Sequence, residues 1–192
     1  DRDKLSDYGQ AGVNRLSLGL QSADNEELRL LGRIHTFEEF LESFSLARET
    51  GFGNLNVDLM SALPGQTRES WHNTLSQVLR LCPEHISAYS LMVEEGTPFY
   101  EDYGPGGRKE SLLPDEDTER QMYYDTREIL KAKGYERYEI SNYARPGFAC
   151  RHNLGYWERK DYLGLGLGAA SLVDGMRWRN TSSLSGYLKG DA

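Results

Sequence analysis

The sequence predicts an α/β fold, a partial (β/α) barrel of the TIM type followed by an α+β extension, and three observations carry that prediction. Segments that alternate with period 2 are each followed by a helix-period pattern, the order that builds a parallel sheet. The first two strands pair an apolar face with a polar one, whereas strands covered on both sides by helices read as continuous apolar runs. A polar face suits the inside of a barrel that holds a polar ligand while its outside packs on helices. An antiparallel sheet with one wet face is the alternative, and the intervening helices argue against it.

The first strand, Arg15 to Gln21, sets Leu16, Leu18 and Leu20 on one face and Arg15, Ser17, Gly19 and Gln21 on the other. Thr36-Phe37-Glu38-Glu39 is a capping box that starts a helix with Phe37, Phe40, Leu41 and Phe44 in one stripe and Gly51 at its end. The second strand, Asn54 to Leu59, repeats the division, with Leu55, Val57 and Leu59 opposite Asn54, Asn56 and Asp58. Pro64-Gly65 makes a turn before a helix that begins near Thr67, carries Trp71, Leu75, Val78 and Leu79, and stops before Pro83. A third strand of mixed character spans His85 to Leu91. Tyr103 to Leu113, with Gly104-Pro105-Gly106-Gly107, reads as a surface excursion. A long helix is expected from about Pro114 to Lys133, ended by Gly134, and a further strand over Tyr135 to Ile140. The expected division is a barrel portion over residues 1–102 and a C-terminal region over 103–192.

Composition narrows the function. Lys+Arg 22 against Asp+Glu 30 give a formal charge of −8, the wrong sign for binding nucleic acid without a concentrated basic patch. The longest weakly polar stretch, Tyr162 to Val173, is too short to span a bilayer, and no export signal is visible, so a cytoplasmic setting is expected. Cys82 and Cys150 stand far apart and outside any metal-ligand spacing, and read as free thiols. The polar segment Asp1 to Gln10 runs abruptly into a strand, as in a piece of something longer.

Ligands of parallel β/α folds sit beyond the carboxyl ends of the strands. Gln21 and Asp58 occupy such ends on the polar faces, where an amide and a carboxylate can bind hydroxyl, amino or ribose groups. A strand-end Asp also serves as a loop or helix cap, and the Ala62 to Thr67 turn either offers a helix amino terminus to an anion or simply caps its helix. Tyr162 to Ala169 superficially matches a dinucleotide fingerprint. That reading fails because no long amphipathic helix follows and Asp174-Gly175 signals a turn.

Several ordered motifs together resemble one family. Asn14-Arg15-Leu16-Ser17-Leu18-Gly19-Leu20-Gln21-Ser22, Leu31-Gly32-Arg33-Ile34-His35, Asn56-Val57-Asp58-Leu59-Met60 and Leu63-Pro64-Gly65-Gln66-Thr67 are similar to the later barrel half of radical S-adenosylmethionine (radical SAM) proteins of the HemN/HemW group. The likeness continues through Ser87 to Leu91, Glu94 to Phe99 and Tyr138 to Asn142. It implies that Gln21, Arg33 and Asp58 contact S-adenosyl-L-methionine; read without the family, Arg33 would be a contact to the end of a short helix.

Cys150-Arg151-His152-Asn153-Leu154-Gly155-Tyr156-Trp157 contains the His-Asn-x-x-Tyr-Trp pattern that resembles HemW and separates it from coproporphyrinogen oxidases. This implies a haem site of His152, Asn153, Tyr156 and Trp157, with imidazole as an iron ligand and aromatic surface for the porphyrin. The residue-level alternative is a loop held by His152 and Asn153 with Trp157 in a core. Relatives often carry histidine where Ala170 stands, so a second histidine ligand is not supported. The family's Cys-x-x-x-Cys-x-x-Cys motif for a [4Fe-4S] cluster is absent from this sequence and expected upstream, and the fragment alone is expected to be inactive. The implied function is a haem chaperone whose partners are haem or porphyrin and haem-accepting proteins, membrane proteins included. The rivals are an oxygen-independent coproporphyrinogen III oxidase and an unrelated barrel hydrolase or lyase with Asp58 as general base.

Overall fold

The computed structural model describes residues 1–190. They form two compact units, Asp1–Ala149 and a second beginning at Cys150. In the first unit the order is α1 (Arg2–Gln10), β1 (Leu16–Gln21), α2 (Asn25–Leu30), α3 (Phe37–Glu49), β2 (Leu55–Ser61), α4 (Arg68–Arg80), β3 (His85–Ser90), α5 (Pro98–Tyr103), α6 (Glu116–Ala132), β4 (Glu136–Arg137) and β5 (Asn142–Ala144). The strands make one sheet in the order β1-β2-β3-β5-β4. β1, β2 and β3 are parallel, while β5 joins β3, and β4 joins β5, antiparallel.

The alternation in sequence becomes two faces of different chemistry. Leu20, Leu55, Val57, Leu59 and Ile86 pack against Phe40 and Phe44 of α3, Trp71 and Leu75 of α4, and Met122 and Leu130 of α6. Burying apolar surface at roughly 25 cal/mol per Å² makes this helix-covered face the main source of stability. The opposite face carries Ser17, Asn56, Asp58, His85 and Ser87, brought side by side because Asn56 pairs with His85 and Asp58 lies between Gly19 and Ser87 in register.

Local chemistry fixes the helix ends. Thr36 and Glu39 complete their capping box reciprocally, at 3.2 and 2.8 Å, and Thr67 with Ser70 does the same for α4. At the amino-terminal end of the sheet Glu84 receives both Arg48 guanidinium nitrogens, at 2.8 and 3.0 Å, and the Leu55 amide at 2.9 Å. That end is locked by structural bonds and leaves the other for ligands.

One expectation is corrected. Tyr135 to Ile140 pairs only over Glu136–Arg137, because Tyr135 is buried and its hydroxyl donates to Pro83 O at 2.6 Å, docking the segment against the unit instead of extending the ladder. The Tyr103 to Leu113 segment is the expected surface excursion, mostly exposed; it follows a short helix, α5, and is tied back where the Gly65 amide donates to Leu112 O at 2.7 Å. The compact units divide at 149/150, since α6 and β5 pack on or pair with the strands of the first unit.

The second unit holds α7 (Arg151–Trp157), a hairpin of β6 (Ala170–Val173) and β7 (Met176–Arg179), and α8 (Leu184–Lys189). Asp174 and Gly175 have φ of 51° and 77°, the left-handed pair that a tight hairpin turn demands. A hairpin therefore follows the glycine-rich stretch where a dinucleotide site would need a helix. Gly164 serves close packing instead: a Cβ there would lie 2.2 Å from Ala170 O. Among the described residues no helix is long and apolar enough to cross a membrane.

Candidate functional site

At the end of β1 the backbone departs from ideal pleating. Gln21 has φ 74°, and the register with β2 slips between Gly19 and Gln21. Left-handed backbone at a non-glycine residue costs on the order of 1 kcal/mol and clusters where function requires it. The geometry folds the Gln21 amide back over Gly19, whose Cβ, if present, would lie 3.1 Å from Gln21 Nε2. Gly19 is the register partner of Asp58, whereas past the slip Gln21 itself falls opposite Leu59, so it is the folded-back amide that lies toward the Asp58 side.

Asp58 is held from both sides. Ser17 Oγ donates to its Oδ2 at 3.0 Å and Asn56 Nδ2 to its Oδ1 at 2.7 Å, leaving the outer lone pairs for a ligand. Asn56 Nδ2 also donates to Ser17 Oγ at 2.6 Å, so its Oδ1 must accept. The His85 Nδ1–H meets that oxygen, and His85 Nε2 accepts from the Tyr138 hydroxyl at 2.7 Å. In the neutral imidazole the network therefore places the hydrogen on Nδ1. Burial, aided by the positive charge of Arg15, pushes His85 down to about 3. Ser87 Oγ continues the chain by donating to Asn142 Oδ1 at 2.6 Å. The alternation displayed the polar residues, but not this network, which depends on cross-strand register.

Arg33 is exposed just beyond α2. Gly32 takes φ 68° and the Arg33 amide donates to Leu28 O at 2.9 Å, closing the helix. Its guanidinium has no ion pair or hydrogen bond among the described residues, and no contact joins it to Gln21 or Asp58. The turn forms the expected cap, with Thr67 Oγ1 accepting from the Ser70 amide at 3.1 Å; Gln66 is buried, accepts from the Leu63 amide at 3.3 Å and donates to Glu27 at 2.9 Å. Glu27 also accepts from Ser22 and Ser70, at 2.5 and 3.0 Å, and so joins the ends of β1 and β2.

The second unit carries a surface cavity of about 1060 Å³ that is open to solvent, with Leu163, Leu165 and Tyr156 exposed at its rim. His152 and Tyr156, one turn apart on α7, both line it. Their ring centroids are 4.6 Å apart, and Tyr162 meets Tyr156 edge-on at 4.7 Å. Leu163, Leu165 and Leu172 supply apolar wall, and Arg159 and Arg177 charge. Asn153 and Trp157 project from another side of α7 and do not line the cavity. The sequence reading thus assembled four residues of which the structure brings two together, and it missed both arginines, Tyr162 and the leucines. The two cysteines fall one in each unit, and no group of three metal-ligating side chains exists among the described residues.

Comparison with known proteins fits this anatomy. The radical SAM superfamily model matches residues 1–78. Heme chaperone HemW of Escherichia coli is 40% identical over 195 residues, covering 99% of this chain and 50% of that protein. Heme chaperone HemW of Bacillus subtilis is 39% identical over 97% of this chain and 48% of its own length. The solved coproporphyrinogen III oxidase HemN of Escherichia coli, described as a radical SAM enzyme, superposes with a TM-score of 0.78 at 28% identity, over 98% of this chain and 45% of that one. The chain spans about half the length of the relatives it matches. From matches that agree in family and run along nearly all of its sequence, this chain belongs to the HemN/HemW group of the radical SAM superfamily, on its HemW side.

Proposed function

We propose that the protein of which this chain is part is a haem chaperone, which binds S-adenosyl-L-methionine in the first unit and haem in the second and passes haem to acceptor proteins. The observation that carries the haem half is the cavity where an imidazole, two tyrosine rings and leucine side chains converge. Neutral imidazole is an ordinary axial ligand of haem iron, and flat apolar walls suit a porphyrin. Relatives bearing the name heme chaperone support the same reading.

For S-adenosyl-L-methionine, the residues fit. The held Asp58 carboxylate offers acceptors, the Gln21 amide offers both donor and acceptor, and the unpaired Arg33 guanidinium suits a carboxylate. The [4Fe-4S] cluster that the family implies finds no ligand set among this chain's two cysteines.

The full-length protein titrated with haem and followed by its Soret band tests the first half. His152→Ala is expected to shift the band and weaken binding about tenfold or more. Unchanged spectrum and affinity would remove His152 as ligand, and no saturable binding by the unaltered protein would remove the haem reading. Asp58→Asn is expected to weaken S-adenosyl-L-methionine about tenfold or more by calorimetry, since hydrogen bonds to a charged group are worth roughly 1.5–3 kcal/mol. An unchanged affinity would exclude Asp58 from the site. The fold likeness to HemN supports a second reading, oxygen-independent coproporphyrinogen III oxidation. Anaerobic turnover to decarboxylated porphyrin by the full-length protein would favour it.

A further inference from the structure

We propose that Arg159 and Arg177 form a two-point anion clamp that takes the propionate carboxylates of the haem, an inference that rests on the haem reading above. Both arginines line the cavity that contains His152 and Tyr156. Among the described residues neither guanidinium makes an ion pair or a side-chain hydrogen bond. Neighbouring cations are spent on protein partners: Arg179 Nε donates to Gly168 O at 2.8 Å, and Lys160 pairs with Glu158. The cavity therefore retains two unused positive charges beside apolar wall. In a chain whose formal charge is −8, that placement selects an amphipathic dianion.

A second, independent observation concerns the backbone of Arg159. It has φ 55°, and it sits just past the end of α7, where the Lys160 amide donates to Gly155 O at 2.9 Å and the Arg159 amide to Tyr156 O at 3.1 Å. This is the left-handed helix terminator that favours glycine, and arginine there is strained. Helix termination gives no reason for arginine, whereas a ligand that needs a guanidinium at this rim does. A porphyrin with two propionates presents the matching chemistry: a flat apolar ring, a metal for His152 and two carboxylates for the arginines.

Ferric protoporphyrin IX and its dimethyl ester, titrated into the full-length protein and followed by the Soret band, test the clamp without altering the protein. The ester is expected to bind on the order of tenfold more weakly. The double variant Arg159→Gln/Arg177→Gln is expected to show a similar loss for the diacid, with the band position unchanged because His152 is intact. Arg159→Gly is expected to weaken the diacid while leaving the thermal midpoint equal or higher, which a merely structural arginine would not do. Equal affinity for diacid and ester overturns the clamp and leaves the haem reading standing. A variant that loses diacid and ester alike also overturns it, since the loss would not act through carboxylates. Failure of the unaltered protein to bind the diacid overturns both.

Discussion

Replacing Trp71 with alanine is expected to lower the free energy of unfolding by about 3–5 kcal/mol, the range for truncating a large buried aromatic. Trp71 is fully buried, in the layer between the sheet and α6. Its Nε1–H donates to Thr126 Oγ1 at 2.8 Å, and Thr126 in turn donates to Met122 O at 2.7 Å, so the indole ties α4 to α6 as well as filling volume. Alanine would leave a cavity and an unused hydroxyl acceptor. Trp71→Phe, which keeps much of the volume, should cost less. Urea unfolding of the two variants checks this. A loss below about 1.5 kcal/mol for alanine would mean that the helix layer does not depend on Trp71.

The second large effect is one of pH. His85 is fully buried and held neutral, with its folded value near 3 against an ordinary 6.5. The folded state therefore binds fewer protons than the unfolded state between those values. Stability from this group is complete above pH 6.5 and falls as the pH drops towards about 3, at a slope of up to about 1.4 kcal/mol per unit. By about pH 4.5 the loss reaches roughly 3 kcal/mol. Protonation would also put a hydrogen on Nε2 where the Tyr138 hydroxyl now donates, loosening the support of Asn56 and, through it, Asp58. His85→Gln, which can accept and donate but does not titrate here, is expected to flatten the dependence. Denaturation curves for both proteins between about pH 7 and 4.5 provide the check, and parallel declines would reject His85 as the cause.

The two effects trace the two faces of one sheet, and the faces were unequally visible in the sequence. Period-2 alternation assigned every leucine of β1 and β2 to the helix side, and Thr36, Thr67 and the Asp174-Gly175 pair announced their caps and turn by residue type alone. Antiparallel β5 was not announced, because a three-residue strand is too short to show a period. Nor was the division of Cys150 to Trp157: only the helical pitch of α7 separates His152 and Tyr156, which line the cavity, from Asn153 and Trp157, which do not.

By itself the sequence determined which residue types alternate, where helices start and stop, and which family its motifs resemble, because those signals lie within a few residues of one another. Tertiary structure alone decided that Asn56 meets His85 across 29 positions, that the Gln21 amide turns back over Gly19, and that Arg159 and Arg177 share one cavity. Each of those depends on strand register or loop closure, which set distances between residues remote in the chain and leave no local pattern to read.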